Sequence, residues 1–212
     1  MKKIQTLAVL VCLAFAGQLA ADDQAPPTSV GTGRSGQTAW EFVGTIQQNG
    51  VDMTMSGYVT ALAGLAETQL FTDPTVRSDA TARCKFSATA KMTTRNVVSP
   101  LFVLNANATG KISCAANSGF AGPTVVASFD TKYQTIVDVT AAGKGRFEAT
   151  GETVRTDAQN FTLDGVTYRL GEANRLLRIQ MTGDATLTDP SGPISTIVVA
   201  GRAVIGDYLP QP

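Results

Sequence analysis

The sequence predicts an all-β domain: an antiparallel up-and-down meander that closes into a barrel of about eight to ten strands. Three observations predict it. Apolar and polar residues alternate with period two over several stretches, as half-buried strands require. Turn-forming residues separate successive stretches, so that each strand reads as the hairpin partner of the next. Long helical patterns are scarce, whereas the chain carries 20 glycines. A meander of this many strands removes its free edges by closing. A two-sheet sandwich and an outer-membrane barrel are the alternatives. Charge pairs on the expected outward faces oppose the second, which would show an apolar band to lipid.

The first pair is Trp40 to Ile46 with Met53 to Thr60, around Asn49-Gly50. With those two residues as the loop, Ile46 meets Met53, Gly44 meets Met55, Phe42 meets Gly57 and Trp40 meets Val59, all on one face. Tyr58 and Thr60 take the other. Residues 61–71 read either as a strand end or as a short helix. Ala82 to Thr94 and Leu101 to Cys114 fold about Ser99, with Phe86 opposite Ile112 and Met92 opposite Ala106. Thr124 to Val139 and Gly145 to Arg155 fold about Ala142. That register sets Val137 against Phe147 and Tyr133 against Gly151, and on the other face Lys132 against Glu152 and Asp138 against Arg146. Phe161 to Leu163 and Val166 to Tyr168 flank Asp164-Gly165, a tight hairpin signal. The last pair is Leu176 to Leu187 with Ile194 to Ile205, around residues 189–193. Leu177, Ile179, Met181 and Leu187 share a face with Ile197, Val199, Ala203 and Ile205.

Residues 1–21 have the three parts of a bacterial secretory signal peptide: Lys2-Lys3, the apolar run Ile4 to Phe15, and Leu19-Ala20-Ala21 as the cleavage site. The apolar run is short for a membrane span of about 20 residues. The expected organisation is a signal peptide at 1–21, a flexible leader at 22–38 rich in Pro, Gly, Ser and Thr, a barrel domain at 39–207 and a tail at 208–212. The destination is the periplasm or the exterior, with no membrane association after cleavage. Cleavage also removes Cys12, leaving Cys84 and Cys114. The hairpin register places these two opposite each other, and in an oxidising compartment such a pair forms a structural disulfide.

Composition narrows the chemistry by what is missing. The chain has 17 basic and 17 acidic residues, and removing Lys2 and Lys3 leaves 15 against 17, a net charge of −2. Nucleic-acid binding needs clustered cations, which this chain lacks. With no histidine in 212 residues, Ser-His-Asp and Cys-His catalysis and the usual zinc sites are excluded. No metal and no cofactor are expected. Gly31-Thr32-Gly33-Arg34-Ser35-Gly36 matches the dinucleotide-binding pattern, but it precedes the first strand instead of joining a strand to a helix. Met53 and Met55 alternate along one strand and read as core packing.

A barrel of this size is filled by side chains or holds one small ligand. The inward face of the Tyr133 strand and its partner carries Tyr133 and, near a strand end, Arg155. Tyr168 joins from the next hairpin. These three are the candidate ligand-binding residues. Glu41 and Asp130, the carboxylates available for acid–base work, fall on the expected solvent faces.

The stretches Trp40-Glu41-Phe42-Val43-Gly44-Thr45, Gln48-Asn49-Gly50, Gly57-Tyr58-Val59-Thr60 and Gly64-Leu65 resemble the opening of a group of uncharacterised secreted bacterial proteins. Phe161-Thr162-Leu163-Asp164-Gly165 and Tyr168-Arg169-Leu170-Gly171 are similar to that group too. The resemblance covers most of residues 40–206 and implies no activity. In architecture alone the meander resembles the allene oxide cyclase and dirigent barrels, which guide cyclisation or coupling of small apolar molecules; no catalytic motif of theirs is matched. Two functions follow. One is a non-catalytic exported protein that binds a small apolar ligand in its barrel, or a protein partner on its surface. The other is a cofactor-free cyclase or isomerase, which requires at least two of Tyr133, Arg155 and Tyr168 in one cavity. A homo-oligomer is compatible with either.

Overall fold

The structure, a computed structural model, describes residues 25–116, 118–172, 175–187 and 194–209. The expected signal peptide, the 189–193 turn and the last three residues of the tail lie outside them. Eight antiparallel strands form a closed barrel. In chain order these are β2 (Thr38–Asn49), β3 (Asp52–Leu62), β4 (Cys84–Val98), β5 (Leu101–Cys114), β6 (Thr124–Ala141), β7 (Lys144–Ala158), β10 (Arg175–Thr186) and β11 (Ile194–Tyr208). Each pairs with the next, and β11 returns to β2. The seam between β7 and β10 pairs Thr153 with Leu177 and Phe147 with Gly183. That ring rules out the sandwich. Strands β1 (Thr28–Val30), β8 (Asn160–Leu163) and β9 (Val166–Leu170) form a separate three-stranded sheet, and one short helix, α1, spans Glu67–Leu70.

Alternation along the strands dictates the registers, because a slip of one residue would turn the apolar set outward. Cys84 lies opposite Cys114, Phe86 opposite Ile112 and Met92 opposite Ala106. Val137 faces Phe147, Tyr133 faces Gly151 and Lys132 faces Glu152. In the first hairpin the expected pairing is corrected by two residues: Ile46 lies opposite Met55 and Phe42 opposite Val59. The cause is the turn. Asn49 pairs with Asp52, so Gly50 and Val51 are its central residues, and only Gly50 takes a positive φ, +60°. A positive φ at the first central position alone is the type II′ pattern. A slip of two keeps the same face, so the inward set is unchanged.

The barrel interior is dense because aromatic side chains lie over glycines of neighbouring strands. Phe86 crosses Gly44 and Gly57; a Cβ there would come within 2.9 and 2.7 Å of its ring. Phe86 also meets Phe42 edge-on, with centroids 5.0 Å apart. At Gly151 a Cβ would lie 2.5 Å from that of Tyr133. Fully burying a large apolar side chain stabilises by about 1.5–3 kcal/mol, so Ile46, Val59, Phe147, Ile197 and Val199, all under 4 % exposed, carry much of the fold.

Two expectations about the chain's connections need correction. The hairpin of β8 and β9 has the expected pairing, Phe161 with Tyr168, but stands outside the barrel wall. It covers the mouth of the barrel where β7 ends and β10 begins, turning Phe161, Leu163, Tyr168 and Leu170 into the core. The leader is likewise ordered in part: Thr28–Val30 adds to β9 as a parallel strand, and Val30 is fully buried. Composition misreads this segment because one buried valine gives no periodicity, and the pairing comes from the free edge of β9. The stretch of 61–71 is resolved as the end of β3 followed by α1. Gln69 caps this helix by accepting from the Ala66 N–H at 2.9 Å, and Leu70 and Phe71 are each 1 % exposed.

Candidate functional site

The barrel holds an interior cavity of about 90 Å³, bordered by Phe42, Phe86, Ala88, Ala108, Thr131 and Tyr133 among others. It exists because strands β4 and β5 bring only small residues to their inward faces at this level. Ala88 pairs with Gly110, and Ala90 with Ala108. Phe86 and Ala88 point inward yet are only partly buried, because the cavity leaves them without neighbours on one side. The lining is mostly apolar. Its polar members are Ser87, Lys111, Tyr133, and Thr131 and Thr153, whose hydroxyls lie 2.8 Å apart. Depressions on the outer wall are larger, about 660 Å³, and are lined by residues such as Glu41, Glu148, Gln180 and Arg202.

Tyr133 is 5 % exposed, and its hydroxyl donates to the Met53 sulfur at 3.6 Å. A thioether is a weak acceptor, so the phenol has room for a better partner. Burial pushes its pKa up to about 12, which keeps it a neutral donor at ordinary pH.

At the covered mouth, Trp40 and Phe129 meet with ring centroids 5.2 Å apart. Above them, beneath the cap, lies a crevice of about 10 Å³ that Arg155, Glu172 and Arg175 also border. Arg155 sits opposite Phe129 in the register, and its Nη1 donates to the Leu170 carbonyl of the cap at 2.5 Å. Its pKa is lowered, first by burial and then by the nearby Arg169. Glu172 is held below the usual carboxylate range by the Tyr208 hydroxyl, with desolvation opposing and Arg175 assisting. Arg175 binds Glu172 at 2.9 Å and stacks on the Tyr208 ring at 4.5 Å. This clasp fixes the start of β10 to the end of β11.

Tyr168, in the cap sheet, is 5 % exposed. Its hydroxyl accepts from Gln69 Nε2 at 2.6 Å, tying α1 to the cap, and its ring packs on Phe161. The three sequence-derived candidates therefore occupy three surroundings: Tyr133 the interior cavity, Arg155 the mouth crevice, and Tyr168 the core of the cap. No two of them line the same cavity among the described residues. Glu41 and Asp130 are exposed. Sequence reasoning missed the Trp40–Phe129 partition. Both residues sat at inward positions, but alternation says nothing of height along the barrel axis.

Cys84 and Cys114 form a disulfide across directly paired residues. A structural disulfide fits a protein that folds in an oxidising compartment. Among the described residues no helix is long and apolar enough to cross a membrane, and no group of three His, Cys, Asp or Glu side chains is placed to hold a metal ion. Compared with known proteins, the chain matches no family model, no curated protein and no solved structure.

Proposed function

We propose that this is an exported, non-catalytic protein that binds one small apolar molecule inside its barrel, in the periplasm or outside the cell. The interior cavity carries the reading: a concave, mostly apolar space with a few fixed polar groups is the usual form of a small-molecule site. Its residues suit binding better than reaction. The hydroxyls of Thr131, Thr153 and Tyr133 can orient a ligand; Lys111 is the one charged residue that borders the space, and no carboxylate, imidazole or free thiol does. Export is supported by the signal-peptide pattern of residues 1–21 and by the disulfide. The ligand is small. An apolar cavity of about 150 Å³ admits benzene, and this one is smaller.

The test uses Trp40, the chain's single tryptophan, which borders the cavity. Saturable binding of 1-butanol, followed by Trp40 fluorescence and checked by calorimetry, is expected for the purified full chain. Ala88→Leu, which fills the space, abolishes it while the protein stays folded. Absence of saturable binding, or binding unaffected by Ala88→Leu, overturns the reading.

A further inference from the structure

We infer that the natural ligand is a small neutral carbonyl compound, a short-chain ketone, aldehyde or ester, whose oxygen accepts a hydrogen bond from the Thr131–Thr153 hydroxyl pair inside the barrel. This rests on the barrel being a binding protein and adds the ligand's functional group.

The pair has one donor to spare. Thr131 and Thr153 lie directly opposite each other on β6 and β7. Both border the cavity, and their hydroxyls are 2.8 Å apart. Each hydroxyl carries one proton, and only one of the two is spent inside the pair. The inward neighbours offer no acceptor for the other. Across the strands these neighbours are Ala108 and Leu177. Along the strands they are Phe129 and Tyr133 on β6, and Gly151 and Arg155 on β7. The Tyr133 hydroxyl is turned to the Met53 sulfur, and the Arg155 guanidinium to the Leu170 carbonyl. Among the described residues, neither threonine side chain makes a hydrogen bond outside the pair.

A buried hydroxyl proton without an acceptor costs free energy, so an oxygen supplied by a ligand is favoured at this spot. The rest of the nearby lining, such as Phe42, Phe86, Ala88 and Ala108, is apolar. A ligand that meets the pair with one oxygen and fills the remaining space with carbon suits both. A carbonyl oxygen accepts without adding a proton of its own. An alcohol adds one that only the same two hydroxyls could take, in bent and weaker bonds. Charge is disfavoured. Lys111 borders the space, but it pairs with Ser87, between the inward pairs Phe86–Ile112 and Ala88–Gly110. Alternation therefore sends its side chain outward, and it is exposed. An ionised headgroup inside would lose its water without gaining a partner. The volume of about 90 Å³ limits the carbon skeleton to a short chain.

The near-isosteres 2-butanone, 2-butanol and 2-methyl-1-butene differ in the group that meets the pair, and butyrate adds a charge. Each is titrated into the full chain and into Thr131→Val, Thr153→Val and the double variant, by calorimetry with Trp40 fluorescence as a second readout. Circular dichroism checks that the variants are folded. The wild type is expected to bind the ketone several-fold more tightly than the alcohol, and butyrate not at all. The proton count fixes the variants. Each single variant still has one free hydroxyl proton and keeps the ketone's affinity. The double variant has none and binds the ketone about ten-fold more weakly, the equivalent of one hydrogen bond, with the alkene not weakened. A folded double variant that weakens ketone and alkene alike, or neither, overturns the donor and leaves the apolar site standing. So does a single variant as weak as the double, or a wild type that prefers the alcohol. Tighter binding of butyrate than of the ketone overturns the neutral ligand, because Lys111 then sets the headgroup. If none of the four compounds binds, the binding reading itself falls.

Discussion

The two ends of the barrel are built differently. At the covered end the chain concentrates its cross-links: the Cys84–Cys114 disulfide, the Arg83–Asp164 ion pair at 2.8 Å between β4's approach and the cap turn, and the Glu172–Arg175–Tyr208 clasp. At the opposite end the described turns are short, and the β4–β5 hairpin runs on past its neighbour β3, whose pairing with β4 stops at Lys91. Val97 and Val98, near that tip, are 59 % and 63 % exposed. The difference separates two jobs. A closed ring of strands holds itself together through its own ladder, so the turn end needs no further support. The covered end carries extra bonds because a three-stranded sheet must be held over an opening.

The contrast makes ranked predictions. Replacing Cys84 and Cys114 by Ala together is expected to lower stability by about 3–4 kcal/mol, from the freed loop in the unfolded chain. Urea denaturation with and without reductant measures it, and a loss under 1 kcal/mol would remove the disulfide's place in the comparison. The interior comes next. An unfolded tyrosine loses its proton near pH 10, whereas Tyr133 keeps it to about 12. Between those values the unfolded state binds fewer protons than the native one, so stability falls as pH rises, by about 2–3 kcal/mol over the window. Tyr133→Phe should flatten that part of the stability–pH curve, and an unchanged slope would show that other groups cause it. Tyr168→Phe removes the acceptor for Gln69 and is expected to cost about 1 kcal/mol, with faster amide exchange at α1 and β9 than in the barrel. The smallest effect belongs to the turn end. Val97→Thr with Val98→Thr should change stability by less than about 0.5 kcal/mol, and a large loss there would mean that the extended hairpin is covered in solution.

The barrel itself was legible because its signals are local. The β6–β7 register follows from a turn at Ala142-Gly143 and two outward charge pairs, and the β4–β5 register from two cysteines that must meet. The first hairpin was displaced by two residues because Asn49-Gly50 reads as the loop, when the backbone places Gly50 alone at positive φ. The cap was not legible. Its strands are short, β1 contributes one buried residue, and what decides that β8 and β9 leave the wall is the direct pairing of β7 with β10. For the same reason Tyr133, Arg155 and Tyr168 could be assigned to inward faces but not to a common space. Period-two alternation distinguishes inside from outside, and separates neither the two levels of one barrel nor a barrel from its cover.

The last strand closes the ring by pairing with the first, Ala203 beside Trp40 and Val199 beside Gly44. No shorter piece of the chain can complete this barrel, because the edge of β2 stays open until β11 has been synthesised. Contacts so distant in sequence make folding slow relative to helical proteins of similar size. A topology that finishes only at its final strand therefore leaves the edge of β2 bare throughout synthesis and makes completion of the chain the condition for closing the ring.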